Sequence, residues 1–189
     1  LALGNSGNGI GIDGDPTNNT IGGTASGASN TIAFNGANGV LLTANTGTGN
    51  TISSNSIFAN GGLGIDLGDD GVTPIDLFDA DGGPNNLQNF PVITMVKSTS
   101  KGTVIQGVLI SSANTTFRLE FFSNNACDPS GYGEGQTFLG FVQVKTNITG
   151  HTNFKITLPA SLAAGNSVTA TATDPANNTS EFSQCMQVK

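Results

Sequence analysis

Apolar residues in the first part of the chain occur in short runs of two to four, and each run is closed by Gly or Asn. A helix needs apolar positions spaced by 3.6 residues over a longer stretch, and Gly and Asn are poor helix formers. Both residues do tolerate the left-handed backbone that a chain adopts at a tight corner. The pattern therefore predicts short strands joined by tight corners.

These short runs form a repeat. The tripeptide Asn-Thr-Ile occurs at residues 19–21, 30–32 and 50–52, and Asn-Ser-Ile follows at residues 55–57. A repeat of about twenty to thirty residues built from short strands predicts a parallel β-helix, here of about three coils with asparagine ladders at the corners. The residues expected to stack in its core are Ile10, Ile12, Ile21, Ile32, Val40, Leu42, Ile52, Ile57, Ile65 and Leu67.

The same segment resembles a known family. The runs NTIGGTASGASNTIAFNGANGV and GNTISSNSIFANGGLGIDLGDDGVTPID look like the right-handed parallel β-helix repeats of large secreted bacterial surface proteins. The resemblance covers about residues 5–91, and the acidic stretch ending in LQNFPV is its most distinctive part. It implies a short right-handed parallel β-helix, with Phe90 plugging the end of the coil core.

From Val92 onward the hydrophobic period becomes two, which is typical of half-buried strands. Seven short strands in about a hundred residues predict an immunoglobulin-like (Ig-like) antiparallel β-sandwich. The all-β chain then divides into a β-helical domain, residues 1–91, and a sandwich domain, residues 92–189. FRLEFFSNNACDPSGYGEGQTFLGFVQVKT also resembles the Ig-like modules that follow such β-helices in secreted bacterial proteins. The expected strands are residues 92–97, 103–110, 115–123, 137–145, 152–158, 167–173 and 180–188.

Between the two patterns lies an acidic stretch without a single cation. Clustered carboxylates repel one another unless a cation binds, and oxygen ligands in a flexible loop favour Ca²⁺. The alternative is a solvated acidic loop. Asp79-x-Asp81-Gly82 matches a fragment of a calcium-loop pattern, although Leu77 and Gln88 break the EF-hand rule. The predicted calcium ligands are Asp66, Asp69, Asp70, Asp76, Asp79 and Asp81.

Charge is distributed unevenly along the chain. Residues 1–96 contain eight Asp and no Lys, Arg, His or Glu, whereas residues 97–189 carry a net charge of +1, so the total is −7. An acidic surface repels phosphate backbones and anionic lipid, which disfavours nucleic-acid partners and membrane insertion. Among the carboxylates of the second half, Asp128, Glu134, Asp174 and Glu181 are expected to serve surface solubility rather than a further ion site. Arg118 and Glu120 are expected to be solvated.

Cys127 and Cys185 are the only two cysteines. An even count is compatible with one disulfide, which persists in an oxidising compartment. Scarce Lys and abundant Asn, Thr and Gly also suit a secreted, extracellular or cell-surface protein. The sequence begins with Leu1 inside the repeat, so a processed product or a piece of a longer precursor is expected.

No catalytic residue is predicted. A polysaccharide lyase needs a base such as Lys or Arg beside its polyanionic substrate, and the repetitive half contains neither. Asp66, Asp69 and Asp70 are the carboxylates that a hydrolase would use, but they lie at the end of the predicted coil stack. His151 is the only histidine and stands beside a turn glycine.

The sequence therefore predicts a secreted, non-enzymatic structural or adhesive surface module. An uncapped first coil invites another strand or chain, so the expected partners are other copies, stacked end to end into a filament or sheath, or neighbouring domains of a longer precursor. The alternative is a carbohydrate-binding or polysaccharide-degrading domain, with glycans as partners.

Overall fold

The computed structural model describes residues 3–189, and within that range the protein is all-β, with fourteen strands, two short 3-10 turns and no α-helix. The described residues include no helix with the length and hydrophobicity of a membrane span. The 3-10 turns are Leu77–Asp79 and Pro84–Leu87. The strands are β1 Ile10–Ile12, β2 Thr20–Gly22, β3 Thr31–Ala33, β4 Val40–Thr43, β5 Thr51–Ser53, β6 Ser56–Phe58, β7 Ile65–Gly68, β8 Val92–Thr99, β9 Gly102–Ile110, β10 Thr116–Asn124, β11 Thr137–Lys145, β12 His151–Leu158, β13 Ser167–Thr173 and β14 Met186–Gln187.

The first seven strands pair in parallel with the strands one repeat away. β4 lies between β1 and β7, β5 pairs with β2, and β6 pairs with β3. We call residues 8–37, with β1–β3, layer 1, and residues 38–62, with β4–β6, layer 2. β7 begins a third layer, after which the chain leaves the stack through the acidic stretch.

The predicted core of this half is confirmed. All ten predicted residues belong to one apolar cluster, in which Val40, Leu42 and Leu67 are fully buried and Ile10 and Ile12 of layer 1 are partly buried. Because equivalent apolar residues of successive layers occupy equivalent register positions, such as Ile21 opposite Ile52, each layer covers the core of the one before it.

The predicted asparagine ladders are also present. The backbone N–H and the side-chain Nδ2 of Asn19 both donate to Oδ1 of Asn50, at 3.1 and 2.9 Å. The same pair of bonds joins Asn30 to Asn55 and Asn35 to Asn60. These bonds satisfy polar groups at corners where the chain leaves one strand and enters the next, so asparagine stabilises the corner and fixes the register of the layers.

The second half consists of two antiparallel sheets, ordered β12-β9-β8 and β11-β10-β13-β14. Apolar side chains from both sheets form one core, which includes Ile105 and Leu109 of β9, Phe117 and Phe121 of β10 and Val168 of β13. Six of the seven predicted strands match the observed ones to within two residues at each end.

The seventh predicted strand is an exception, because only Met186–Gln187 of residues 180–188 is a strand. Upstream of it, hydroxyl groups replace carbonyl groups as partners of β13. The backbone N–H of Ala172 donates to Oγ of Ser180, and the N–H of Ala170 donates to Oγ of Ser183. The segment runs beside β13 without a regular ladder.

The two halves meet at a surface that we call the junction, formed by layer 2 and residues 63–73 on one side and by β10, β13, Tyr132–Gln136 and Asn178–Ser183 on the other. Phe122 and Phe182 enter the apolar cluster of the layers, with ring centroids 5.3 Å apart. Phe90, predicted to plug the stack, instead packs edge-on against Tyr132 at 5.8 Å. That prediction was wrong, since residues distant in sequence close the stack.

Candidate functional site

The structure divides the six predicted calcium ligands into two groups. Carboxylate oxygens of Asp76, Asp79 and Asp81 lie within 4.8 Å of one another, and no other group of three potential metal ligands meets this criterion in residues 3–189. We call these three residues the acidic triad. Asp66, Asp69 and Asp70 lie at the end of β7, outside the triad.

Local backbone structure and Asn89 hold the triad together. The 3-10 turn contains Phe78 and Asp79 with positive φ angles of 66° and 57°. Oδ2 of Asp76 accepts a bond from the N–H of Ala80 at 2.9 Å, and Oδ1 of Asp79 accepts one from the N–H of Asn89 at 2.7 Å. Oδ1 of Asp81 is buried and has no hydrogen-bond partner among the described residues.

Mutual repulsion and burial make the charged triad unfavourable. The pKa of Asp79 is raised to about 6, chiefly by burial and also by the charges of Asp76 and Asp81, while hydrogen bonds from Asn89 and Ser111 lower it. Burial and the charge of Asp76 also raise the pKa of Asp81. A bound cation would remove this repulsion, and Ca–O distances of about 2.3–2.6 Å allow ligand oxygens up to about 5 Å apart. The spacing of the three carboxylates is therefore compatible with a bound cation.

Asp66 has a different role from the triad. It is buried, Oδ2 accepts a bond from Nδ2 of Asn38 at 2.9 Å, and Oδ1 accepts one from the N–H of Asp69 at 3.1 Å. Burial raises its pKa. Asp69 and Asp70 are exposed. The carboxylate of Asp66 therefore stabilises the turn after β7 and ties it to the asparagine ladder of layer 2.

Three glutamates of the second half lie buried at the junction. Glu134 is the clearest: Oε1 accepts bonds from the N–H and the Nδ2 of Asn60, both at 2.9 Å, and Oε2 accepts one from the N–H of Ala59 at 2.6 Å. Asn35 donates the same two groups to Oδ1 of Asn60 in the ladder. Glu134 therefore occupies the place of the next asparagine and ends that ladder.

Glu181 caps the start of the third layer. It is 2% exposed, and its two oxygens accept bonds at 2.9 Å from the N–H groups of Leu67 and Thr73. Burial raises its pKa to about 7, with smaller contributions from Asp66 and Asp70. No cation bonds this carboxylate within the described part of the chain.

Glu120 is paired with the only arginine of the chain. Oε1 accepts bonds from Nε of Arg118 at 2.8 Å and from Oγ of Ser53 at 2.9 Å, and Oε2 accepts one from the N–H of Ser54 at 2.8 Å. The guanidinium lies 3.5 Å from the ring centroid of Phe141. Glu120 is 1% exposed, so the prediction that it is solvated was wrong.

Sequence reasoning missed the role of all three glutamates. Glu134 and Glu181 were expected to serve surface solubility, but both are buried. For Glu120, the missed signal was the alternation of β10: Phe117, Leu119 and Phe121 face the sandwich core, and Glu120 between them faces the junction rather than water. Alternation shows that a strand has two faces but does not show what covers the second.

Cys127 and Cys185 form the predicted disulfide. The bond joins the loop after β10 to the segment before β14, near the backbone bond from the Cys185 N–H to the Gly131 carbonyl at 3.1 Å. An intramolecular disulfide is compatible with an extracellular protein.

Comparison with known proteins adds no relative. The chain matches neither a protein-family model nor a curated protein. The function is therefore argued from the junction and the triad.

The raised pKa of Glu181 predicts an unusual pH dependence of stability. A carboxyl group whose folded pKa lies above its unfolded value of 4.5 stabilises the fold fully below that value, and this stabilisation is lost as pH rises through about 7. In chelator, the free energy of unfolding should fall between about pH 4.5 and 7, with Glu181 contributing on the order of 3 kcal/mol.

Urea unfolding at a series of pH values measures this effect. Glu181→Gln should make the fall with pH smaller, because the amide does not titrate and the other buried carboxyl groups remain, whereas the exposed control Asp15→Asn should leave the profile unchanged. A wild-type stability that rises over the same pH range would contradict the assignment.

Proposed function

We propose that this chain is a secreted or cell-surface, non-enzymatic structural or adhesive module, in which a short right-handed parallel β-helix is closed by an Ig-like β-sandwich. The observation that supports it best is that Glu134 stands where the next asparagine of the Asn35–Asn60 ladder would be and accepts the same two bonds. Exposed layer ends are prone to unwanted pairing. Glu134, which comes from a separate part of the fold, supplies an acceptor to the end of layer 2 and so terminates the solenoid.

The chemistry of the buried carboxylates supports a non-enzymatic role. A general acid or base must reach a substrate proton. Both oxygens of Glu120, Glu134 and Glu181 instead accept bonds from protein donors at the junction. Capping explains the raised pKa values of Glu134 and Glu181 and the ion pair of Glu120 with Arg118.

End-to-end assembly remains a hypothesis for this module. The C-terminal half covers the layer 2 end of the stack, so contact between the layers of two copies would use layer 1 of each. Because a contact between identical faces joins only two copies, a filament needs a contact outside the layers. Sedimentation velocity and electron microscopy of the full chain with calcium test the hypothesis: filaments would support it, and a stable monomer at high concentration would contradict it.

Calcium is part of the proposal, with Asp76, Asp79 and Asp81 as ligands. Removal of calcium by a chelator should lower the melting temperature by about 5 °C or more, if calcium had been present at 100 times its dissociation constant. Asp81→Asn should abolish the shift. Asp69→Asn, outside the triad, should keep it, and a melting temperature that is the same with and without chelator would contradict the calcium site.

Glycan binding is the second candidate function, and one cleft favours it. The cleft lies at the edge of the junction, has a volume of about 440 Å³ and is lined by hydroxyl, amide and guanidinium groups, including Thr24, Arg118, Gln143 and Asn177. Such groups match the hydroxyls of a saccharide.

A polysaccharide panel distinguishes the two functions. The structural proposal predicts neither cleavage nor micromolar binding by the full chain. Binding that is lost in Gln143→Ala but kept in Asn153→Ala would favour the glycan site, and cleavage that is lost in Asp69→Asn would overturn the non-enzymatic assignment.

A further inference from the structure

The outer face of layer 1 displays asparagines whose equivalents in layer 2 are buried. Asn19 and Asn30 are exposed, whereas Asn50 and Asn55, their partners in the next layer, are 1% and 3% exposed. Asn5 is likewise exposed and precedes the buried Asn35 in its ladder. The core residues Ile10 and Ile12 beneath this face are only partly buried.

The hydrogen bonds at these three corners all run in one direction. In each, the earlier residue donates its backbone N–H to Oδ1 of the later asparagine, as Asn19 does to Asn50 and Asn30 to Asn55. The later Nδ2 donates back to a carbonyl of the earlier layer, as from Asn55 to Ile21 at 2.8 Å. In layer 1, Oδ1 of Asn19 and Asn30 accepts no bond from residues 3–189, and neither does Oδ1 of Asn5, which precedes layer 1.

The fourth corner runs in the opposite direction. The N–H of Asn38 donates to Oδ1 of Asn8 at 2.9 Å, and the N–H of Leu63 donates to Oδ1 of Asn38 at 2.7 Å. A structure that covers layer 1 must therefore supply donors to Asn19 and Asn30, the donor that Asn5 gives to Asn35, and an acceptor at the corner of Asn8.

A folded second copy does not offer this complement. Its donors at the layer 2 end are already used: the N–H of Asn60 is bonded to Glu134, and the N–H of Asn50 to Oδ1 of Asn85 at 2.9 Å. Two layer 1 faces placed together would bring the acceptors of three corners to the same interface. The complement is instead another parallel layer whose backbone N–H donors are still free.

We propose that the outer face of layer 1 binds a further parallel layer that carries asparagine at the same three corners, and not a second copy of this protein. The inference rests on the β-helical part of the proposed function. The spacing of the corner residues supports it: Asn60 precedes Leu63 by three residues, as Asn35 precedes Asn38 and Asn5 precedes Asn8.

The test inserts a second copy of residues 38–62 between Gly7 and Asn8 of the full chain, so that the inserted Asn60 takes the place of Asn5. Hydrogen exchange of the β1, β2 and β3 amides should slow by at least about tenfold, because a covered layer no longer opens locally. Unchanged amides in β10 and β13 report that the rest of the fold is intact.

The matched control carries the same insertion with Asn50→Ala, Asn55→Ala and Asn60→Ala in the inserted copy only. The proposal predicts less slowing in this control, because each inserted alanine keeps its backbone N–H donor but lacks the Nδ2 donor of asparagine. Equal slowing in both insertions, or none in either, would overturn it.

Two further measurements keep the proposal testable if the insertion does not fold. A synthetic peptide with the sequence of residues 38–62, added to the unmodified chain, should slow the same amides in a concentration-dependent manner, and no slowing at saturating peptide would count against the proposal. Dimerisation of the unmodified chain with protection of β1 would identify the second copy as the occupant and also overturn it. Neither result depends on glycan binding or cleavage, so failure of this inference is distinguishable from failure of the proposed function.

Discussion

Replacing Glu134 with alanine is expected to destabilise the protein by about 3–5 kcal/mol. The substitution removes the acceptor for three donors, the N–H groups of Ala59 and Asn60 and the Nδ2 of Asn60. Glu134 and Asn60 are each 8% exposed, so water does not readily replace the lost bonds. An unsatisfied buried donor costs about 1–3 kcal/mol, and three such donors lose their acceptor, so the expected loss is large for a single side chain.

Urea unfolding of two further variants separates capping from charge. Glu134→Gln keeps one acceptor oxygen for Asn60 and should lose less stability than Glu134→Ala. Asp128→Ala, in the neighbouring loop, should change stability by less than about 0.5 kcal/mol. If Glu134→Ala were as stable as Asp128→Ala, the ladder would not end at Glu134.

Phe182→Ala is the second substitution with a large expected effect, about 3–5 kcal/mol. The ring is 3% exposed, lies 5.3 Å from Phe122 and fills the end of the layer core. Two glycines make room for it: a Cβ on Gly64 or on Gly135 would lie within 3 Å of the ring. Because neither glycine has a side chain, neither can fill the cavity that Phe182→Ala leaves.

Thermal and urea unfolding measure this loss against Phe34→Ala. Phe34 is 48% exposed and its ring packs edge-on against Phe58, so its removal should cost far less. Equal losses for the two phenylalanines would show that Phe182 does not support the layer core.

Local pattern was sufficient to predict the parts of the fold that repeat. Ile21, Ile52 and their equivalents recur in the motif Asn-Thr-Ile or Asn-Ser-Ile, and this repeated motif predicts both the parallel pairing and the ladders. The strands of the second half follow from the alternation of residues such as Phe117 and Leu119. These features depend on neighbours in sequence or on a recurring motif.

The junction could not be predicted in the same way, because its contacts join residues far apart in the chain. Glu134 and Asn60 are separated by 74 residues, and Glu181 and Leu67 by 114. A lone glutamate in a loop carries no local mark of burial. A stack of layers does need a terminator, but its polar groups come from several distant residues, which include Asn85 and Asn178 as well as the glutamates.

The acidic stretch was predicted as one group and is observed as two. Asp66 lies in β7, where the strand period turns its side chain toward Asn38, whereas Asp79 and its neighbours lie in a turn that folds back on Asn89. Spacing along the sequence does not distinguish a strand end from a loop when both are rich in Asp and Gly.

Native-state hydrogen exchange of the full chain tests most directly whether the second half closes the stack. The amides of Ala59, Asn60, Leu67 and Thr73 donate to Glu134 and Glu181 across the junction. If capping is integral to the fold, they exchange only through global unfolding, with the same protection as the sandwich amides of Phe117 and Val168. Exchange of the four capped amides at the rate of an exposed loop, while the sandwich stays protected, would show that the two halves are independent and would contradict the account.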